Sequence, residues 1–409
     1  MSKKKYRIEK DTMGEIEVPA DALYGAQTAR AIGNFPVSGL LLPRNFIYAL
    51  ALIKKNAAIV NGELGLLDAT LMKAIVQSTD EIIDGRWDGQ FQVDVFQTGS
   101  GTSTNMNMNE VISNRANQIL GHQIGDKHPV HPNDHVNMGQ SSNDVIPSAM
   151  HIATVNDVCN RLQPELHSLI KILKNKEQKF KNIIKIGRTH LQDATPITLG
   201  MEFSGYRSQM EDCEKMIKSS IQNLKFLALG GTAIGTGINT HKGFRGKVIE
   251  KISEEMALPF FETDNHFKSQ SSMDAAVYFS GVLKTLAVSL MKIANDIRWL
   301  SSGPRSGLGE ISIPAVQPGS SIMPGKVNPV IAESVCQVAA QVIGNDCTIT
   351  VAGQSGNFQL NVMMPVIAYN LIQSVQILTS AIKIFGEKCI DGIQANKEVC
   401  NSNVYQSLA

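Results

Sequence analysis

The stretch from Ser272 to Ser302 is the feature that most limits the possible folds of this chain. Written out as SMDAAVYFSGVLKTLAVSLMKIANDIRWLSS, it is apolar on most faces of a helix. The charged residues that interrupt it include Lys284, Lys292, Asp296 and Arg298. Because so many charges are costly in a lipid bilayer, the stretch is unsuited to span a membrane. A helix that is apolar nearly all round is typical of the buried core of a large helical bundle.

Two further stretches follow the same helical periodicity. Residues 361–385 are apolar on most faces, and Pro365 lies where a helix start tolerates proline. Residues 151–184 are amphipathic and rich in lysine on one side. Alternating strand patterns are scarce, and no internal repeat is visible. The sequence therefore predicts a mainly α protein with a central bundle of long helices.

The length of 409 residues is enough for two or three domains. Short helical patterns and turn signals are frequent up to about Gln140, and the long helical patterns follow. We predict a mostly helical N-terminal domain over 1–140 and a long-helix bundle domain over 141–396. Residues 397–409 are predicted to be the stub of a truncated C-terminal domain.

The charge balance bears on possible partners. The 38 Lys and Arg residues nearly balance the 37 Asp and Glu residues, so the formal net charge is +1. Proteins that bind nucleic acid or anionic membranes usually have a basic excess, so we expect neither partner. Charged residues make up only 18% of the chain, below the typical quarter, which indicates that subunit contacts cover part of its surface.

The cysteines and the start of the chain bear on the compartment. Six cysteines are spread singly, without a Cys-x-x-Cys pair, which favours free thiols in a reducing environment. The basic residues at the start are not followed by the apolar segment of a signal peptide. We therefore predict a cytoplasmic protein.

Four polar segments each lead toward a predicted helix. They are Thr98–Thr102, Gln140–Asp144, Gly187–Pro196 and Gly319–Pro329. A helix N-terminus presents unpaired N–H groups and partial positive charge, so each segment is a potential anion site. If the segments converge, they form a pocket for a small molecule with several carboxylates. If they do not, each one only caps its own helix.

We expect the helix starts at particular residues. The run from Ser141 to Asp144 consists of side chains that favour N-caps. Thr195 and Asn328 are predicted N-caps too, because each is followed by a proline that suits the first helical position.

The segment GSSIMPGKVNP has the densest set of polar groups. Gly319 and Gly325 frame a loop with two serines, and Lys326 follows with a full positive charge. Glycines at both ends allow such a loop to move or to adopt positive φ, as active-site lids do. The alternative is an ordinary surface turn.

His190 and Glu333 are candidates for acid–base chemistry. His190 follows Gly-Arg-Thr, although a single histidine is often only structural. Glu333 lies near the start of a predicted helix, where a carboxylate can orient a histidine or simply complement the helix dipole.

Two other patterns suggest ligands that we do not expect. KHPVHPNDHVN holds three histidines and Asp134 within eight positions, but Pro129 and Pro132 oppose the helix that would align His131 with His135. We therefore predict no metal site. GGTAIGTG, from Gly230 to Gly237, lacks the Lys-Ser/Thr pair of a phosphate-binding loop, so we predict no dinucleotide site.

With these motifs the chain resembles the fumarase/aspartase superfamily, whose signature is G-S-S-x-M-P-x-K-x-N. The resemblance extends from Tyr6 to the end of the chain. Within the superfamily the chain is similar to class II fumarate hydratases, because its segments are T-G-S-G-T, Q-S-S-N-D, G-R-T-H and M-P-G-K-V-N-P. Aspartases more often have G-G-A-G-T, Q-S-T-N-D, G-R-T-Q and M-P-A-K-V-N-P. The segment DGIQANKEVCNSNVYQSL is somewhat aspartase-like.

The resemblance implies reversible hydration of fumarate to L-malate through an aci-carboxylate, with no metal and no organic cofactor. It implies that Ser320 is the general base for the C3 proton of malate, and that His190, paired with Glu333, acts near the leaving hydroxyl. The residues implied to bind substrate are Ser100, Gly101, Thr102, Ser141, Ser142, Asn143, Thr189, Ser321, Lys326, Val327 and Asn328.

The family likeness also implies a second dicarboxylate site outside the catalytic pocket. Its residues in this chain are His131, Pro132, Asn133 and Asp134. The family often has an arginine where this chain has His128, which weakens the expected site.

The implied assembly is a homotetramer whose active sites are shared by three subunits. Relatives usually continue past the residues that match 403–409 into a small C-terminal helical domain. Two alternatives remain at this point: an aspartate ammonia-lyase, and a non-catalytic helical oligomer.

Overall fold

The computed structural model describes residues 5–323 and 325–407. Pro324 of the signature segment and residues 408–409 of the predicted C-terminal stub therefore lie outside the described residues. The helices are α1 (Ala26–Asn34), α2 (Arg44–Glu63), α3 (Ala69–Ile83), α4 (Thr102–Ile119), α5 (Ser142–Asp157), α6 (Gln163–Phe180), α7 (Leu199–Ser220), α8 (Phe244–Met256), α9 (His266–Ser271), α10 (Asp274–Leu300), α11 (Val330–Gly353), α12 (Met364–Phe385) and α13 (Lys397–Gln406).

The strands are short and occur in pairs. They are β1 (Tyr6–Asp11), β2 (Gly14–Pro19), β3 (Ile184–Thr189), β4 (Gln192–Thr198), β5 (Phe226–Leu227), β6 (Phe261–Glu262), β7 (Ile311–Ser312), β8 (Gly356–Asn357), β9 (Leu360–Asn361) and β10 (Gln394–Ala395). In the described part of the chain they form five two-stranded sheets: β1–β2, β3–β4, β5–β6, β7–β10 and β8–β9. The predicted mainly α fold is confirmed.

Two of the predicted long helices are present. α10 covers almost all of the stretch 272–302, and α12 begins one residue before Pro365, as a proline near a helix start requires. By length and composition alone, α10 and the run Met364–Ile390 are apolar enough to span a membrane, so the charges in α10 do not exclude a span, contrary to the prediction from the sequence. Half or more of each apolar window is buried inside the protein, which is typical of core helices.

The third predicted helix differs from the structure at both ends. A nearly continuous helical run begins at Ser142, passes through a π-helical turn at Val158–Leu162, and ends at Phe180. Residues from Ile184 onward are not helical, because β3 pairs with β4 in an antiparallel hairpin. The β-branched side chains of Ile184, Ile186 and Thr189 favour this pairing over a longer helix.

The chain forms two compact units, each made of three separate segments. The first comprises Met1–Asn156, Ile221–Tyr278 and Cys347–Gln373. Helices α2, α3 and α4 pack against one another in its core. Leu50 and Ile53 on α2 have no solvent exposure, and each such side chain stabilises the fold by roughly 1.5–3 kcal/mol.

The second unit comprises Asp157–Ser220, Phe279–Asp346 and Ser374–Ala409. Here α6 packs on α7, and the rings of Phe180 and Phe203 meet edge to face at 5.3 Å. α13 packs against β3 of the hairpin. The predicted domain limits at 140 and 396 stay predictions.

All six cysteines lie in the described part of the chain and are free thiols, as the sequence predicts. Burial raises the pKa of Cys389 to about 12. The thiol is therefore protonated and unreactive at neutral pH.

Candidate active site

Gly101 shapes the first polar segment. It is the residue before α4 and has φ 72°, in the left-handed region. A Cβ at this position would lie 2.9 Å from Ile146, so both the backbone and the space require glycine. The resulting turn places the hydroxyl oxygens of Ser100 and Thr102 2.6 Å apart.

The second polar segment caps α5 as predicted. The hydroxyl oxygen of Ser141 accepts a hydrogen bond from the backbone N–H of Asn143 at 3.2 Å. In return, the Ser141 N–H donates to the Asp144 carboxylate at 2.9 Å. This reciprocal pair is a capping box, which typically satisfies two unpaired donors of a helix start.

The first two segments converge within the first unit. The hydroxyl oxygens of Thr102 and Ser142 are 2.8 Å apart, and Ser142 donates to the Asn143 side-chain oxygen at 3.3 Å. The amide of Asn143 in turn donates to the carbonyl oxygen of Ala233 at 2.7 Å. We call the linked side chains of Ser100, Thr102, Ser142 and Asn143 the hydroxyl chain. Because it lies at the N-termini of α4 and α5, two partial positive charges favour an anion there.

The glycine-rich segment Gly230–Gly237 is hydrogen-bonded to the start of α5. The second carboxylate oxygen of Asp144 accepts hydrogen bonds from the N–H groups of Gly230, at 3.0 Å, and Thr232, at 2.9 Å. The Asp144 carboxylate thus accepts the hydrogen bonds that the N–H groups of a phosphate-binding loop would donate to a bound phosphate. Asp144 thereby ties this segment to the start of α5.

Lys54 and Asp144 are buried charged groups beneath this cluster, and neither is exposed to solvent. Burial raises the pKa of Asp144 to about 6, against the hydrogen bonds from Ser141, Thr232 and Gly230 and the charge of Lys54. Burial lowers the pKa of Lys54 to about 7, against the charge of Asp144. The ammonium of Lys54 donates to the Asn137 side-chain oxygen at 2.8 Å.

The third polar segment is a β-hairpin turn, so the predicted helix start at Thr195 is wrong. Thr195 and Pro196 belong to β4, and the helix begins only at Leu199. His190 and Leu191 form the turn with φ 58° and 61°. Two successive positive φ values match the tight turns that join twisted strands. Thr189 and His190 are therefore exposed at the tip of the hairpin.

The signature loop is closed by its own backbone and by Asn328. The Gly319 N–H donates to the Lys326 carbonyl at 3.0 Å, and the Asn328 amide donates to the Gly319 carbonyl at 2.9 Å. A Cβ on Gly319 would overlap the Lys326 carbonyl oxygen, so glycine is required there. The predicted N-cap role of Asn328 is wrong, because α11 begins at Val330 and the Asn328 side chain closes the loop instead.

Ser320 lies inside this closed loop. Its hydroxyl oxygen accepts a hydrogen bond from the Ile322 N–H at 3.3 Å. Ser321 is exposed on the same loop. A backbone donor on the Ser320 oxygen favours negative charge there, which a serine base requires.

A cavity of about 890 Å³ in the second unit brings together Lys326, Val327, Asn328 and Glu333. Lys326 adds a positive charge to it and Glu333 a negative one. Glu333 lies in the first turn of α11, where its N–H donates to the Pro329 carbonyl at 3.0 Å. Among the described residues of one chain, no hydrogen bond or ion pair joins His190 to Glu333, so their pairing stays a prediction.

Sequence reasoning missed other residues that line this cavity. Three of them, with large or polar side chains, are Arg298, Trp299 and Asn396. Arg298 donates to the side chain of Asn295 at 2.8 Å. Arg298 lies in the segment N-D-I-R, which holds three polar residues near the end of an otherwise apolar helix. This interruption of the apolar pattern is the sequence feature that could have indicated a site residue.

The predicted second site lies on a short helical turn. The Nδ1 atom of His131 accepts hydrogen bonds from the N–H groups of Asn133, at 3.3 Å, and Asp134, at 3.2 Å. Pro132 begins a π-helical turn that runs to Val136, so the expectation that the prolines prevent a helical turn here is wrong. The turn tolerates Pro132 because the first position needs no N–H. No cluster of three or more metal-ligating side chains occurs among residues 5–323 and 325–407.

Known proteins match this chain along most of its length. The family described as Lyase matches residues 14–344. A class II fumarate hydratase of Nitrosomonas europaea is 53% identical over 98% of this chain and 87% of that protein. One from Bacillus cereus is 54% identical with the same coverage. The crystal structure of a class II fumarase from Schistosoma mansoni has a TM-score of 0.96 at 42% identity, covering 99% of this chain and 88% of that one.

The chain belongs to the class II fumarate hydratase family. Membership confirms the family predicted from the four polar segments. It also agrees with the choice of fumarase over aspartase patterns in those segments, despite the aspartase-like residues after Ile390. The Schistosoma mansoni enzyme has the same fold as this chain, because its TM-score is close to 1.

Proposed function

We propose that this protein catalyses the reversible hydration of fumarate to L-malate, a step of the tricarboxylic acid cycle. The observation that carries the proposal is the hydroxyl chain at the N-termini of α4 and α5, where Thr102 and Ser142 meet at 2.8 Å. Such a cluster of donors suits a small dianion. Membership of the class II fumarate hydratase family supplies the identity of that dianion.

The proposed substrate contacts are the ones that the family likeness implies. The residues that would hold the two carboxylates are Ser100, Gly101, Thr102, Ser141, Ser142, Asn143, Thr189, Ser321, Lys326, Val327 and Asn328. Lys326 would also stabilise the charge that develops when the C3 proton leaves, a contribution of roughly 3 kcal/mol for a preorganised donor.

Ser320 is the proposed general base. Its alkoxide would remove a proton from C3 of malate, and the electrons of the C–H bond would move into the adjacent carboxylate to form an aci-carboxylate. The Ile322 N–H, 3.3 Å from the Ser320 oxygen, supports this role because it stabilises the alkoxide. Lys326 would add positive charge on the same loop.

His190 is the proposed group on the opposite side of the substrate. It would pass a proton, directly or through one water molecule, to the hydroxyl on C2. The C2–O bond then breaks, water leaves, and fumarate results. Glu333 would orient the imidazole. This chemistry requires neither a metal nor an organic cofactor.

The proposed assembly is a homotetramer in which three subunits complete each active site. Large apolar side chains are exposed on the described chain, including Val288 and Trp299 on α10 and Phe358 after β8. Exposed apolar groups of this kind are typical of surfaces that a partner covers. Sharing between subunits would allow His190 of one copy to pair with Glu333 of another.

The second dicarboxylate site at His131, Pro132, Asn133 and Asp134 is likewise a proposal. The exposed side chains of Asn133 and Asp134 support it, because the turn presents them to solvent. We also propose a cytoplasmic location, which the six free thiols support.

The test is to mix the purified protein separately with L-malate and with L-aspartate and to follow the ultraviolet absorbance of fumarate. The proposal expects fumarate from malate only. Fumarate from aspartate only would make the protein an aspartate ammonia-lyase. No fumarate from either substrate, with an intact tetramer by size-exclusion chromatography, would favour a non-catalytic oligomer.

A further inference from the structure

Glu310 is the most completely buried charged group of the second unit that the proposed chemistry leaves unused. Its side chain has no solvent exposure. It accepts two hydrogen bonds from the guanidinium of Arg188, at 2.7 and 3.1 Å, and the ammonium of Lys185 lies 3.4 Å away. Burial would raise the pKa of Glu310, but these two cations hold it below its usual value. The carboxylate is therefore charged, and its partners are fixed in geometry.

Arg188 connects this buried charge to the tip of the hairpin. It is followed directly by Thr189 and His190, and it pairs across the hairpin with Asp193. The strand register is irregular between Ile186 and Arg188. A bulge of this kind re-aims the side chains that follow it, so the anchor at Arg188 fixes the direction of the turn.

The terminal helix completes the environment of Glu310. The side-chain amide of Asn403 on α13 donates to Oε1 of Glu310 at 3.2 Å. This oxygen also accepts the 2.7 Å hydrogen bond from Arg188. The N–H of Asn396, just before α13, donates to the Glu310 carbonyl at 2.9 Å. Strand β10 pairs with β7 directly after Glu310, with Ala395 opposite Ile311. The residues near the C-terminus thus hold Glu310 by its side chain and by its backbone.

The charges in this cluster balance. Lys185 also lies 3.1 Å from Glu202, so two cations meet two anions. The side chains of Lys185 and Arg188 are 2% and 15% exposed. A carboxylate removed from such a place leaves a buried cation without a partner, which is strongly unfavourable. Asn403, by contrast, donates one hydrogen bond and has no charge.

We propose that Glu310 is a positioning residue for His190, and that Asn403 on the terminal helix α13 fixes Glu310 for this task. The inference rests on the proposed role of His190 in the hydration reaction. Glu310 acts through Arg188, and a shift of about 1 Å at a reacting group typically costs on the order of 10²-fold in rate. The terminal helix therefore contributes to the rate of the chemical step and not only to folding.

The decisive variant is Asn403→Ala, with Asn401→Ala as its matched control. Asn401 is exposed on the same helix two residues away. We expect Asn403→Ala to lower kcat by roughly tenfold, the scale of one hydrogen bond to a charged group, with KM within about twofold. Asn401→Ala should leave both constants within about twofold. An unchanged kcat in Asn403→Ala would overturn the proposal.

A double-mutant cycle separates positioning from general destabilisation. If Asn403 acts through His190, Asn403→Ala should lower kcat no further in a His190→Asn background. An equal loss in both backgrounds would show a structural effect independent of His190 and would overturn the proposal. If His190→Asn alone keeps the wild-type kcat, the proposed proton transfer by His190 is wrong. The positioning role of Glu310 is then wrong as well, because it depends on that proton transfer.

Glu310→Gln gives a second, more severe test. It keeps the shape of the side chain and removes the charge, so we expect a loss larger than that of Asn403→Ala, on the order of 10²-fold in kcat. A folded Glu310→Gln protein with wild-type kcat would contradict the proposal. If the Glu310→Gln protein does not fold, the double-mutant cycle of Asn403→Ala and His190→Asn tests the proposal instead.

Discussion

The hydroxyl oxygens of Thr102 and Ser142 lie 2.8 Å apart, although forty positions separate the two residues in the sequence. One belongs to the first turn of α4 and the other to the first turn of α5. Their contact brings two helix N-termini to one place, where the partial positive charges of the two helices and the hydroxyl groups lie together. This contact is the clearest structural reason to place a dicarboxylate here.

Loss of the Thr102 hydroxyl should weaken the site. Thr102→Val keeps the side-chain shape but removes the group that links Ser100 to Ser142. We expect kcat/KM for malate to fall by roughly 10–100-fold, since a hydrogen-bond donor to a charged ligand is lost. Thr102→Ser retains the hydroxyl and should stay within about threefold of wild type. Equal losses in both variants would contradict a role for the hydroxyl.

His190 should matter for turnover more than for binding. Removal of its proton-transfer group in His190→Asn should lower kcat by about 10²-fold or more. The matched control is His167→Asn, because His167 is also in the second unit and is largely exposed. A change in KM alone would show that His190 binds substrate without acting on the leaving hydroxyl.

Lys326 should act on the transition state. Lys326→Met removes the only full charge that the signature loop GSSIMPGKVNP contains. We expect kcat to fall by roughly 10²-fold, corresponding to about 3 kcal/mol of lost charge stabilisation. The steady-state constants for malate measure this directly. An effect confined to KM would assign Lys326 to ground-state binding.

Lys54 should make stability depend on pH. Its pKa in the folded protein is about 7, below the usual 10.5, so the unfolded chain binds more protons between these values. The free energy of unfolding should therefore rise with pH in this range, by at most about 1.4 kcal/mol per pH unit. Lys54→Met has no amine that titrates, so its free energy of unfolding should lack this rise with pH.

Thermal unfolding at pH 7, 8 and 9 checks this prediction. The Tm of wild type minus the Tm of Lys54→Met should increase as the pH rises. Lys174→Met, at an exposed lysine, should show a difference that does not change with pH. A constant difference for Lys54→Met would mean that the buried amine does not titrate in this range.

The sequence was sufficient to predict those features that depend on local patterns. The long apolar runs predicted α10 and α12, and the run of N-cap residues from Ser141 to Asp144 predicted the start of α5. Each of these follows from periodicity or capping within a few neighbouring residues.

The features that sequence reasoning got wrong depend on distant partners. Thr195 and Pro196 have the composition of a helix start, but pairing with β3 places them in a strand. Asn328 suits an N-cap, but its amide bonds to Gly319 nine residues earlier. The bond between Arg188 and Glu310 joins positions 122 apart in the sequence. No local pattern specifies which distant group a side chain will meet.

Ser320 is the proposed base that removes the C3 proton of malate. Ser320→Ala tests this role, with the fumarate absorbance followed at saturating malate and the oligomer sized by chromatography. Ser306→Ala, at an exposed serine of the same unit, is the matched control and should stay within about twofold of wild type. We expect Ser320→Ala to keep the oligomer and to lose at least about 10²-fold in kcat. A Ser320→Ala protein with near-wild-type kcat would contradict the assignment of the base.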